Sequence, residues 1–99
     1  MKTKQPAPLP RKIRVGDKEY SVEIVETLKH KADLGRIYFG TGRIEIAQRS
    51  DDDQRKQTFW HELVHAILVD MERNDLNRNE QFVDGFAQRL HDAIKSARF

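Results

Sequence analysis

The chain has no cysteine among its 99 residues. That absence excludes a disulfide framework and any thiolate metal site. Long hydrophobic runs are also missing. The longest mostly apolar stretch, 63–69, holds a histidine and falls far short of the ~20 residues that a membrane span needs. No basic segment followed by an apolar one opens the chain, so no secretory leader is expected and the cytoplasm is the expected location. Neither sign of charge dominates. The balance of 18 Lys and Arg against 16 Asp and Glu leaves +2, weak ground for a nucleic-acid partner. What is present is one small domain's worth of Ile, Val, Leu and Phe, too much for a wholly disordered chain. Its core must be thin, and domains of this size often rely on an extra staple such as a metal.

The first residues differ from the rest. Pro6, Pro8 and Pro10 recur at every second position, and Lys2, Lys4, Arg11 and Lys12 meet no acid before Asp17. Proline lacks an N–H and has a fixed φ, so 1–11 reads as a flexible tail preceding a single domain over 12–99. Ile13 and Val15 begin a short strand, with Gly16-Asp17 as the turn after it. Tyr20, Val22 and Ile24 then alternate with Ser21 and Glu23, the period of a half-buried strand. Ile37 and Phe39, the turn signal Gly40-Thr41-Gly42, and then Ile44 and Ile46 read as a hairpin of 36–39 with 43–47.

Helices follow. Ser50 before Asp51, Asp52 and Asp53 has the chemistry of a helix N-terminus, with capping-box spacing from Ser50 to Asp53. This helix is expected to run to about Glu72. A second is expected from near Asn77 or Asn79 to about Ala97, with Asn77 and Glu80 spaced as a similar cap. The fold class is therefore α+β: a small, mostly antiparallel sheet of about three to four strands packed on two helices.

The strongest chemical signal is His61-Glu62-Leu63-Val64-His65. On a helix, His61 and His65 lie about 40° apart and one turn along the axis, so both imidazoles can meet one metal ion. Glu62 sits about 100° from His61, beside the pair. From there it can reach a water on the metal but not the metal itself, which suits a general base. Phe59, Trp60, Leu63, Val64, Ala66, Ile67, Leu68 and Met71 make the helix apolar nearly all round, as in a buried helix. Polar side chains on one stripe of a buried helix are costly without partners, and a metal supplies one.

A third ligand must come from elsewhere. The candidates are Glu72, Asp75, Glu80, Asp84 and His91. Glu72, about 10 Å along the axis from His65, is too far. His91 cannot share a compact site with Glu80 and reads as an exposed helix histidine. Glu80 and Asp84 border the apolar face of the second helix, made by Phe82, Val83, Phe86, Leu90 and Ile94. An antiparallel helix pair sets Glu80 opposite the two histidines.

Here the chain resembles a known family. His61-Glu62-x-x-His65, with fourteen residues between His65 and Glu80, then Asn79-Glu80-x-x-x-Asp84, is similar to the gluzincin signature HExxH…NExxxD of thermolysin-type zinc metallopeptidases. A strand before that motif and Phe86-Ala87-x-x-Leu90 after the acids also resemble small ImmA/IrrE-like and phage-associated metallopeptidases. The metzincin branch, with Gly at position 68 and His at 71, is a poorer match to Leu68 and Met71. The resemblance covers about 43–90. It implies a minimal zincin-like fold, Zn²⁺ as cofactor and Glu80 as third metal ligand. It implies Asp84 as acceptor for the N–H of a ligand histidine, His61. It implies peptide hydrolysis, endopeptidase rather than exopeptidase, with Glu62 as general base on a zinc-bound water. In such folds an edge strand pairs with an extended substrate, here 43–47. Tyr38, Arg43 and His30 are the candidates for the oxyanion donor.

The expected partner is a peptide or protein substrate, not a membrane or nucleic acid, and a monomer is favoured. Two alternatives stand beside turnover: a zinc-binding domain with little or none, serving structure or partner docking, and a latent enzyme whose proline-bearing tail covers the cleft.

Overall fold

Alternating apolar residues form strands where one face can be buried, and the computed structural model shows four: β1 (Lys12–Val15), β2 (Lys18–Val25), β3 (Gly35–Tyr38) and β4 (Arg43–Ala47). It describes residues 9–99. Most of the expected tail, 1–8, lies outside the described residues. The remainder joins the domain: Leu9 packs against the core, and the Arg11 carbonyl accepts from Val22 N–H at 2.8 Å.

The sheet is mixed, in the order β1-β2-β4-β3. β1 with β2 and β3 with β4 are antiparallel, whereas β2 and β4 are parallel, with Val22 opposite Ile44 and Ile24 opposite Ile46. The expected hairpin forms around Gly42, whose φ of 69° is costly for a residue with a Cβ. Its position was not expected. β4 inserts between β2 and β3, so its backbone is paired on both sides and 43–47 cannot receive a substrate strand. The free edge beside the helices belongs to β3. Full pairing and cover make β4 the most buried strand, with Ile44, Ile46 and Ala47 all at 0% exposure.

Three helices follow where two were expected: α1 (Asp52–Asp70), the single turn α2 (Asn74–Asn77) and α3 (Glu80–Ser96). The cap of α1 is Asp51, whose Oδ1 accepts from Gln54 N–H at 2.8 Å. Ser50 instead donates its hydroxyl to the Ala47 carbonyl at 2.9 Å, so the expected capping box is not made. α1 ends earlier than Glu72. The N–H groups of Glu72 and Arg73 turn back to the carbonyls of Val69 and Leu68, a Schellman closure with Glu72 left-handed at φ 59°. Asn79 caps α3, accepting from Phe82 N–H at 3.0 Å.

The elements stack in three layers: sheet, α1, α3. α1 lies on β1, β3 and β4, while among the described residues α3 approaches α1 and α2 but no strand. Phe59, Leu63 and Ala66 bury one face of α1 against Tyr20, Val22, Ile44 and Ile46. Val64 and Leu68 bury another against Val83 and Ala87 of α3, and Trp60 touches both clusters. α1 is not buried all round, however: Ile67 is exposed, as is Met71 just past its end. Among the described residues no helix is long and apolar enough to cross a membrane.

Candidate metal centre

The middle position of α1 explains its polar stripe. Thr58, Glu62 and His65 are buried between layers, and His61 is half-buried. One helical turn separates the two imidazoles, whose ring centres lie 5.0 Å apart. α3 runs back past them and delivers Glu80 from its first turn. The Glu80 carboxylate spans the pair, with Oε1 at 3.3 Å from His61 Nε2 and Oε2 at 3.2 Å from His65 Nε2. One ligand atom each from His61, His65 and Glu80 lie within 4.8 Å of one another, an arrangement that could hold a metal ion.

Each ring is held from behind. Asp84, one turn after Glu80, places Oδ1 at 2.9 Å from His61 Nδ1. Asn77 Oδ1 lies 2.7 Å from His65 Nδ1. An oxygen acceptor at Nδ1 makes that nitrogen the donor and leaves the Nε2 lone pair facing inward. Two such lone pairs and a carboxylate then converge on one point. A cation at that point would meet all three donors, so the donor set fits a metal. Asn77 was missed, because asparagine two residues before Asn79 reads as a helix cap and nothing in the spacing shows the α2 turn that aims it at His65.

Glu62 stands next to this cluster without joining it. Burial pushes its carboxyl up to about 8, helped by the nearby charges of Glu80 and Asp33 and opposed by Arg36. Gly35 of β3 closes over it: a Cβ there would lie 2.3 Å from Thr58 Cγ2 and 3.3 Å from Glu62 Oε2. The cluster opens into a cavity of about 690 Å³ lined by His61, Glu62, His65, Glu80 and the edge strand. A second cavity of about 340 Å³ adjoins it on the Gln57 and Asp84 side.

The other candidates lie elsewhere. Tyr38 sits under the guanidinium groups of Arg36 and Arg43, each 5.4 Å from its ring centre, and Arg43 Nε pairs with Glu45 at 3.2 Å. Neither these two nor His30 lines either cavity. Glu72 and Asp75 stay outside the cluster, and Asp75 is bound by Arg73 at 2.8 Å. His91 is buried, not exposed, and its Nε2 meets Asp53 Oδ1 at 3.1 Å. Asp53, one of the acids read as a capping signal at the start of α1, thus has a second use, as an anchor for α3.

No family model, curated protein or solved structure matches this chain.

Proposed function

We propose that this is a zinc-dependent metallopeptidase of gluzincin type, acting on peptide bonds in the cytoplasm. The observation that carries the reading is the convergence of His61 Nε2, His65 Nε2 and the Glu80 carboxylate, each imidazole fixed from behind, with Glu62 beside them in an open cavity. Two histidines and a glutamate are a donor set that zinc favours.

Zinc held there supplies Lewis acidity, polarising a carbonyl and making water easier to deprotonate. Glu62 takes the proton of the attacking water and hands it to the leaving amine. A carboxylate held beside the cluster can serve both halves of that task. β3 supports the substrate by offering its outer backbone edge to an extended peptide. Glu62→Gln tests the reading. The variant is expected to keep its zinc and to lose at least about 10²-fold in cleavage of a peptide library. Activity that survives the substitution removes Glu62 as the base. A second reading, a zinc-stapled domain with little turnover, draws on the position of Tyr38, Arg43 and His30 away from the cavities; it predicts zinc binding with no cleavage by wild type.

A further inference from the structure

α3 has two apolar faces, and the fold covers one of them. With Phe82 at 0° on the helical wheel, the buried Val83, Ala87 and His91 fall at about 100–180°. Ala93, Phe86 and Leu90 fall at about 20°, 40° and 80°. Among the described residues this second face is open to solvent at its centre. Phe86 is 51% exposed, and a shallow cavity of about 320 Å³ is lined by Phe86, Arg89 and Leu90. Phe82 packs on Phe86 with ring centres 5.8 Å apart, which props the outer ring in place. An exposed aromatic ring among apolar neighbours is the kind of surface that marks an interaction site.

Charge on one flank of this face says what covers it. Arg89 and Asp92 fall at about 340° and 280°, both exposed, and neither has an ion-pair partner among the described residues. Arg89 Nη1 donates only to the Gly85 carbonyl, at 3.1 Å. A two-fold axis between two antiparallel helices sets the same flank of each against the other, with the order reversed. With that axis passing between residues 89 and 90, Phe86 of each copy meets the small Ala93 of the other. Each Arg89 then lies only about 3 Å along the axis from the other copy's Asp92, within reach of its long side chain, and this happens twice. The face is complementary to itself in size and in charge. We infer that two copies of this chain pair through antiparallel α3 helices, with Phe86 against Ala93 and Arg89 against Asp92. Glu80 and Asp84 fall at about 160° and 200°, on the far side of the helix, so pairing leaves both candidate metal centres open.

Sedimentation of the full chain over a concentration series tests this. Wild type is expected to reach twice the chain mass, with a dissociation constant below about 1 mM. Phe86→Glu places a charge at the centre of the face and is expected to raise that constant at least about 100-fold. Arg89→Asp and Asp92→Arg each set like charges together and are each expected to raise it about tenfold. Mixing these two charge variants in equal amounts restores both opposite-charge pairs, but only between unlike copies. The mixture is therefore expected to pair as tightly as wild type, a recovery that no effect inside one helix produces. Both charged positions are exposed, so this arm holds even if circular dichroism shows that Phe86→Glu does not fold. Wild type that stays monomeric up to about 1 mM overturns the inference, as does an assembly larger than two. So does a folded Phe86→Glu protein that pairs unchanged, or a mixture no tighter than its two components.

Discussion

Asn77 and Asn79 show how two like residues, two positions apart, take different work. Asn79 accepts from the backbone N–H of Phe82 and starts a helix; Asn77 accepts from the ring of His65. Losing a cap costs about 1 kcal/mol, and losing the partner behind a metal-binding histidine costs about 10- to 100-fold in metal affinity. Asn79→Ala is therefore expected to lower stability by about 1 kcal/mol with little change in zinc affinity. Asn77→Ala is expected to weaken zinc affinity about tenfold or more with a smaller change in stability. Denaturation and competitive zinc titration of both variants check the pair; equal losses of affinity would remove the distinction. The HExxH residues were legible because helix geometry alone aligns them. Asn77 was not legible, since its role depends on where a single helical turn points.

At the level of elements, helix ends carry the unexpected features. Glu72 holds a left-handed conformation at the close of α1, where glycine fits best. Glu72→Gly is expected to raise stability by about 1 kcal/mol, read as a shift in the denaturation midpoint; no gain would mean that the left-handed turn is not strained. The start of α1 is tied to the end of α3 through Asp53, which meets Lys95 Nζ and His91 Nε2 at 3.1 Å each. The hydrogen bond from Lys95, then that from His91, holds the Asp53 carboxyl below its ordinary value of 3.8. A lowered carboxyl stabilises the fold above its unfolded value, and that contribution is lost as pH falls through the lowered folded value. Wild type is therefore expected to melt above Asp53→Asn at pH 6, with the two melting temperatures converging as pH drops below about 3.8. A gap that persists at low pH would assign Asp53 another role. His91 was read as exposed because it lies too far along its helix to share a site with Glu80, a distance that does not show that a carboxylate from a distant turn covers it.

For the whole molecule, the layering sets the weak point. Among the described residues α3 touches no strand, and it joins α1 through Val64, Leu68, Val83 and Ala87. That cluster is small, and a metal shared by His61 and His65 of α1 with Glu80 of α3 would cross the same boundary. A ligand at 100 times its dissociation constant adds about 2.7 kcal/mol of stability. At about 4–8 °C per kcal/mol for a domain of this size, chelation is expected to lower the melting temperature by roughly 10 °C or more. Hydrogen exchange should then show α3 amides losing protection before those of β2 and β4. Uniform loss across both layers would argue against a staple at this boundary.

Local patterns by themselves determined the α+β class, the hairpin, the two long helices and the His-Glu-His stripe, because strand alternation and helical periodicity act over a few residues. Tertiary structure alone decided that β4 lies inside the sheet and β3 on its edge. It also decided that β2 and β4 run parallel, that α1 is the middle layer, and that Asn77 and Asp53 reach His65 and His91. Those outcomes depend on which surfaces meet after the elements form. A buried strand and an edge strand of four or five residues carry nearly the same alternation, and only their neighbours tell them apart.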